Sequence, residues 1–238
     1  FRALARMAAQ GARACLNFEP ATLDAQGRPR VVVARKGVVR FNLRAMGRAA
    51  HAGNAHPSGV NAVRELARKI EQIEALTDYD REVTANVGRI QGGNVSNQVA
   101  AEAEALFEVR AFQEDRLQDV CAKVRALCAV STVSSAADGT PTQLTLQEHR
   151  SYPPWPEGAA TAALARRYQA FAERRGGAPV QCLRSGGGAD SSHVADLTAT
   201  LDGLGIRGGG MHTPDEWADL RTLPLQARLA ADLLQDLA

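Results

Sequence analysis

The sequence predicts an α/β domain interrupted by an inserted α+β unit, and three observations carry that reading. From Gly37 onward, Val39, Phe41, Leu43 and Ala45 alternate with Arg40, Asn42 and Arg44, the two-residue period of a half-buried strand. The proline-rich run Ser151-Tyr152-Pro153-Pro154-Trp155-Pro156 reads as a hinge that closes the inserted stretch. Beyond it, strand-like and helical segments alternate around two glycine-rich runs, Ser185–Ala189 and Gly208–Gly210, as in an α/β layer with a largely parallel sheet.

In chain order, residues 2–14 favour helix, broken near Gly11, and Cys15-Leu16-Asn17-Phe18 reads as a short buried strand. Pro20 cannot continue a central strand, so Glu19 stands where a strand stops and a loop begins. A loop over 21–30 leads to the strand Val31–Ala34. After the alternating strand, Pro57-Ser58 opens a helix with Ser58 as N-cap, and Val63, Leu66, Ala67, Ile70, Ile73 and Leu76 follow at helical spacing. Strands at 83–90 and 103–111, a helix over Gln113–Leu127 and a last strand at Leu144-Thr145-Leu146 complete a β-α-β-β-α-β order. That order is the ferredoxin-like arrangement, four antiparallel strands with two helices on one face. The remainder reads as a helix Ala159–Arg174, a strand Val180–Leu183, a helix 190–196, a strand Ala199–Leu201 and a final helix Leu223–Leu237. Residues 1–36 and 153–238 are thus two pieces of one domain, and 37–152 is the insertion.

Composition excludes several function classes. The 28 basic and 26 acidic residues leave a net charge of +2, and no cationic block interleaves with aromatics, which argues against a nucleic-acid partner. A hydrophobic content of 45% is ample for a core. No apolar run approaches the ~18 residues of a membrane span, so no membrane partner is expected. Cys15, Cys121, Cys128 and Cys182 form no C-x-x-C pair and suggest unpaired thiols in a reducing, cytoplasmic compartment. The start Phe1-Arg2-Ala3 lacks both methionine and a signal-peptide pattern and reads as a cut.

Few residues here carry chemistry. His56 and His149 read as solvated loop residues, and His193 as a packed or capping histidine inside a helix. His51 lies in Gly47-Arg48-Ala49-Ala50-His51-Ala52-Gly53, where small neighbours leave the imidazole unscreened; a plain loop histidine fits equally. His212 stands on a loop between a strand and a helix, where α/β sheets place ligands, and imidazole is the commonest metal ligand. Glu19 is the carboxylate best suited to a cation, although an ordinary strand-terminating glutamate looks the same. Ser185-Gly186-Gly187-Gly188-Ala189-Asp190 lacks the lysine of a P-loop and the spacing of a dinucleotide loop. It is either a flexible turn or a tight loop bringing backbone amides to a carboxylate or oxyanion.

Taken together, Phe18-Glu19-Pro20, Gly47–Gly53 with Gly59-Val60-Asn61-Ala62, Gly93-Asn94-Val95-Ser96-Asn97, Val109-Arg110, Gly186–Asp190 and His212-Thr213-Pro214-Asp215-Glu216 occur in an ordered series. That series resembles the zinc-dependent peptidase family that includes glutamate carboxypeptidases, aminoacylases and acetylornithine deacetylases. The resemblance implies a zinc-dependent amidohydrolase acting on an N-acyl amino acid or a C-terminal glutamate. Under it, Glu19 and His212 are ligands of the two zinc ions, and the insertion is a dimerisation (lid) domain of a homodimer. His51 would stabilise the oxyanion of the tetrahedral intermediate in the partner's site. Arg110 and Asn97 would grip the substrate carboxylate, with Gly187 and Gly188 lining the same pocket.

The chain also departs from the family pattern. It contains no His-x-Asp and no Glu-Glu, the motifs that carry the remaining ligands and the general base. The expectation is therefore an N-terminally truncated, incomplete catalytic domain, inactive alone and weak in zinc binding. The alternative is a non-catalytic dimerisation or carboxylate-binding module.

Overall fold

The computed structural model describes residues 1–238 and divides into two compact units. One comprises Phe1–Lys36 with Tyr152–Ala238, the other Gly37–Ser151.

The Gly37–Ser151 unit is built on a four-stranded sheet. Its strands are β3 (Gly37–Met46), β4 (Thr84–Gly92), β5 (Glu102–Ala111) and β6 (Gln143–Tyr152), in the spatial order β4-β5-β3-β6. β3 and β5 pair antiparallel from Gly37↔Ala111 to Met46↔Glu102, and β4 joins β5 antiparallel with a shift between Val87 and Arg89. The two-residue alternation sends Val39, Phe41, Leu43, Phe107 and Val109 to one face. There they pack against α2 (Ala62–Glu74) through Leu66 and Ile73, and against α3 (Glu114–Cys128) through Leu117, Val120 and Val124. The Phe41 and Phe107 rings stack with centroids 5.0 Å apart. The opposite face carries cross-strand polar pairs instead: Asn42 donates to Glu104 at 2.6 Å, and Arg44 to Glu102 at 3.0 Å.

Two details differ from the sequence reading. Asn61, not Ser58, caps α2: its side chain accepts from the Arg64 N–H, while Ser58 closes a separate 3₁₀ turn, His56–Ser58, on the Ala55 carbonyl. A side-chain oxygen directly preceding the first helical residue is the one that reaches an unpaired N–H of the first turn. β6 extends well past residues 144–146, and His149 sits exposed on that strand, not in a loop.

A polar latch holds the loop after α3. The carboxylate of fully buried Glu65 on α2 accepts from the Thr132 N–H (2.8 Å), the Val133 N–H (2.7 Å) and the hydroxyls of Thr132 and Thr142 (both 2.9 Å). Buried Lys69 stands 3.7 Å away. Burial alone would push the Glu65 pKa up, but the donors from Thr132, Thr142 and Val133 outweigh it and hold it below the ordinary carboxylate value.

In the other unit, β1 (Cys15–Leu16) pairs parallel with β8 (Thr200–Leu201), and β2 (Arg30–Arg35) parallel with β7 (Gln181–Ser185). An antiparallel bridge, Val32↔Asp202, links the two pairs, so the sheet is mixed. Val31, Val33 and Leu201 pack beneath α4 (Ala159–Arg174) and α5 (Leu223–Leu237), which contribute Leu164, Tyr168, Leu229 and Leu233. The first helix, α1 (Arg2–Ala9), stops early because Gly11 turns the chain into a positive φ of 76°. β1 ends at Leu16 and leaves Phe18 exposed, because the Asn17 carbonyl is taken by the Leu204 N–H where the ladder diverges. The expected helix 190–196 is only a 3₁₀ turn, Asp190–His193. No helix is long and apolar enough to cross a membrane. All four cysteines are free thiols, and burial pushes Cys121 and Cys128 up to about 11.

Candidate functional site

Glu19 and His212 lie far apart in sequence, and the backbone brings the Glu19 segment alongside residues 205–207, which lead into the hairpin that bears His212. Gly205 donates its N–H to the Glu19 carbonyl at 2.9 Å, and Ala21 donates to Ile206 at 3.1 Å. Residues 205–207 therefore run alongside 19–21, with a parallel bridge between Ala21 and Arg207. Glycine is required at 205, since a Cβ would stand 2.5 Å from the Phe18 carbonyl oxygen and 2.8 Å from that of Glu19. The chain then enters a hairpin in which β9 (Gly208–Gly209) pairs with β10 (Trp217–Ala218). His212 occupies the hairpin tip with a positive φ of 66°, a conformation uncommon outside glycine. The tip is braced by Thr213, whose N–H and hydroxyl both bond the Gly210 carbonyl, at 3.1 and 2.7 Å. A cavity of about 220 Å³ is lined by Pro20, Ile206, Met211, Glu216 and Trp217; Pro20 and Met211 are the sequence neighbours of Glu19 and His212, which themselves do not line it. Both side chains are exposed. No three His, Cys, Asp or Glu side chains cluster so as to hold a metal ion.

The glycine loop is anchored from below. Arg35, at the end of β2, is 8% exposed and pairs with fully buried Asp202, Nε donating to Oδ2 at 2.8 Å. Its Nη1 donates to the Gly187 carbonyl at 2.9 Å and to Ser185 Oγ at 3.2 Å, and the Ser191 hydroxyl donates to Asp202 at 2.9 Å. Gly188 lies against the Tyr152 ring so closely that a Cβ would overlap it. The other face of this neighbourhood is closed by His193, buried and tilted against Tyr152 with ring centroids 5.3 Å apart. Burial and the nearby Arg2 and Arg6 lower the His193 pKa against the opposing pull of Asp190. The sequence offered one signal for this anchor, a lone aspartate in the otherwise uncharged run Ala199–Leu204.

In the Gly37–Ser151 unit, His51 and Asn97 meet at one end of the sheet. Gly47 donates to Ala101 at 2.7 Å, Val99 to Ala50 at 2.9 Å and Ala52 to Asn97 at 2.9 Å, which zips the 47–52 and 97–101 segments together. The His51 ring is exposed but oriented: Nδ1 accepts from the N–H groups of Gly53 and Asn54, both at 3.1 Å. A nitrogen that accepts two hydrogen bonds carries no proton, so the neutral ring bears its proton on Nε2. Gln98, which bridges to His51, and His56 and Ser58 in the turn that follows are exposed and polar.

Arg110 stands toward the other end of the sheet. It lies in β5 nine residues beyond Ala101, and at roughly 3.3 Å per residue the strand carries it about 30 Å from the His51 end. Its guanidinium is engaged by Glu108 on the polar face of the sheet, Nε donating to Oε1 at 2.7 Å. Arg110 and Asn97 therefore lie at different ends of the unit.

Comparison with known proteins points to peptidases. The family model described as "Peptidase dimerisation domain" matches residues 33–134. Carboxypeptidase G2 of Pseudomonas sp. (strain RS-16) is 26% identical over 224 residues, 93% of this chain and 52% of that protein. Among solved structures, aminopeptidase PepT of Bacillus cereus is similar with a TM-score of 0.73 at 26% identity, covering 90% of this chain and 56% of that one. A tripeptidase of Staphylococcus aureus shares the fold with a TM-score of 0.73 at 23% identity, covering 87% and 53%. The chain spans about half the length of the relatives it matches in this way. Residues 33–134 thus match the dimerisation domain of M20 peptidases, and the chain is similar to aminopeptidase- and carboxypeptidase-type proteins along nearly all of its length.

Proposed function

We propose that these residues supply part of the working site of an amidohydrolase that cleaves the amide bond of an N-acyl amino acid or a C-terminal glutamate, with water as nucleophile. The observation that supports this most is the cavity flanked by the Glu19 and His212 segments. The family is generally zinc-dependent. Glu19 and His212 would each give one donor to a two-zinc centre, whereas zinc sites take three or four protein ligands. The residues present assemble no group of three, so they do not make a complete zinc site.

What the chain's own groups offer is hydrogen-bond donation. The outward Nε2–H of His51 is a neutral donor suited to an oxyanion, delivered in a homodimer to the partner's site. The Asn97 amide would stand beside it, and the Gly188 backbone amide would meet the substrate carboxylate, with Gly187, its N–H bonded to Ser185 Oγ, lining the same pocket. The edge strand β4, unpaired on its outer side, suits self-association.

A second reading, a non-catalytic dimerisation or carboxylate-binding module, is favoured by the missing third metal donor. One experiment separates the two. The purified 238-residue protein is equilibrated with zinc, its metal content measured by elemental analysis, and N-acyl glutamate hydrolysis followed. The expected result is substoichiometric zinc and no turnover. Stoichiometric zinc with chelator-sensitive turnover overturns the incomplete-site account. Saturable binding of N-acyl glutamate that zinc and chelator leave unchanged favours the second reading.

A further inference from the structure

The geometry points to Arg35 as a positioning residue that turns the peptide between Gly187 and Gly188, so that the Gly188 N–H faces outward as a donor for a carboxylate. The inference rests on the proposed reading of the glycine loop as part of a substrate pocket. In a trans peptide, the C=O of one residue and the N–H of the next point in opposite directions. The Gly187 carbonyl is drawn toward Arg35, whose Nη1 donates to it at 2.9 Å, and Arg35 is itself 8% exposed. The Gly188 N–H therefore points away from the buried guanidinium, and no protein acceptor engages it.

Three further contacts make this orientation a fixed one. Asp202, fully buried, holds Arg35 Nε at 2.8 Å and is held in turn by the Ser191 hydroxyl at 2.9 Å. Ser185 Oγ accepts from both Arg35 Nη1 and the Gly187 N–H at 3.2 Å, tying two points of the loop to one hydroxyl. The Tyr152 ring presses on Gly188 and excludes any side chain there. The guanidinium is suited to this task because its planar fork bonds Asp202 from one nitrogen and the loop carbonyl from another. A lysine ammonium keeps the charge but lacks that fork.

The test uses amide NMR of the 238-residue protein, with acetate as the carboxylate probe and chloride as the ionic-strength control. In the wild type, the Gly188 amide exchanges freely with solvent, and its resonance moves saturably with acetate but not with chloride. In Arg35→Lys the acetate response at Gly188 weakens by about tenfold or more, the loss expected for a misdirected charge-assisted hydrogen bond. Ser185→Ala, which leaves the ion pair intact, shows a smaller weakening and keeps the inference testable should Arg35→Lys fail to fold. An unchanged acetate response in Arg35→Lys, or in Ser185→Ala where only that variant folds, overturns the positioning role and leaves the pocket reading in place. A wild-type Gly188 amide that exchanges freely yet ignores acetate overturns the ligand class and, with it, the pocket reading. A protected Gly188 amide overturns the orientation itself.

Discussion

Gly205→Ala is the sharpest probe of how the Glu19 segment is positioned. The new methyl would stand 2.5 Å from the Phe18 carbonyl oxygen, 2.8 Å from the Glu19 carbonyl oxygen and 3.1 Å from the Phe18 carbonyl carbon. All three are backbone atoms, so no side chain can rotate away and the two segments must separate. Overpacking of this kind costs about 1–3 kcal/mol. Separation also weakens the Gly205 N–H bond to the Glu19 carbonyl, now 2.9 Å, worth about 1 kcal/mol. The expected destabilisation is about 2–4 kcal/mol. Urea unfolding reports it, and amide exchange of Ala21, whose N–H bonds Ile206, localises it. Gly186→Ala is the control: its Cβ meets nothing within 4 Å and its φ is not positive, so it should change stability by less than about 0.5 kcal/mol. Equal stabilities of Gly205→Ala and Gly186→Ala, with Ala21 exchange unchanged, would refute the close pass between the segments.

Two further outcomes follow from the other unit. The folded-state pKa of Glu65 lies below its unfolded value, so the latch stabilises fully above the ordinary carboxylate range near pH 4.3 and is lost as pH falls through the lower folded value. Glu65→Gln should cost about 3–5 kcal/mol at neutral pH and flatten that acid limb of the stability curve; an unaltered limb would assign the acid sensitivity elsewhere. For His51, nitrogen NMR should show a protonated Nε2 and a bare Nδ1 at neutral pH. A proton on Nδ1 would contradict the two N–H donors from Gly53 and Asn54.

The parts of the fold that were legible in the sequence are those in which one physical signal dominates. The alternation across Val39–Ala45 stands out because one sheet face packs on helices and the other meets water. α4 and α5 begin and end at the residues read from periodicity, Ala159–Arg174 and Leu223–Leu237, because each presents one continuous apolar stripe. Short elements were less readable. The 3₁₀ turn Asp190–His193 passed for a helix, since four residues carry too little periodicity to tell the two apart. At the candidate site, glycine spacing marked the loops but not what holds them. Arg35 is not singled out by the sequence, because only its tertiary contact with Asp202 makes it a buried anchor. Arg110 is the opposite case. Its place in a motif suggested a pocket, while the extended strand that bears it sets it about 30 Å from His51 and Asn97.

In the proposed function, Glu19 and His212 serve one metal-binding site. Zinc titration followed by amide NMR tests that directly in the wild type, Glu19→Gln and His212→Ala. The account predicts that residues 19–21 and 210–216 shift together along a single weak isotherm in the wild type, and that either substitution abolishes both sets of shifts. Shifts confined to one segment, or two isotherms that the substitutions remove independently, would contradict it.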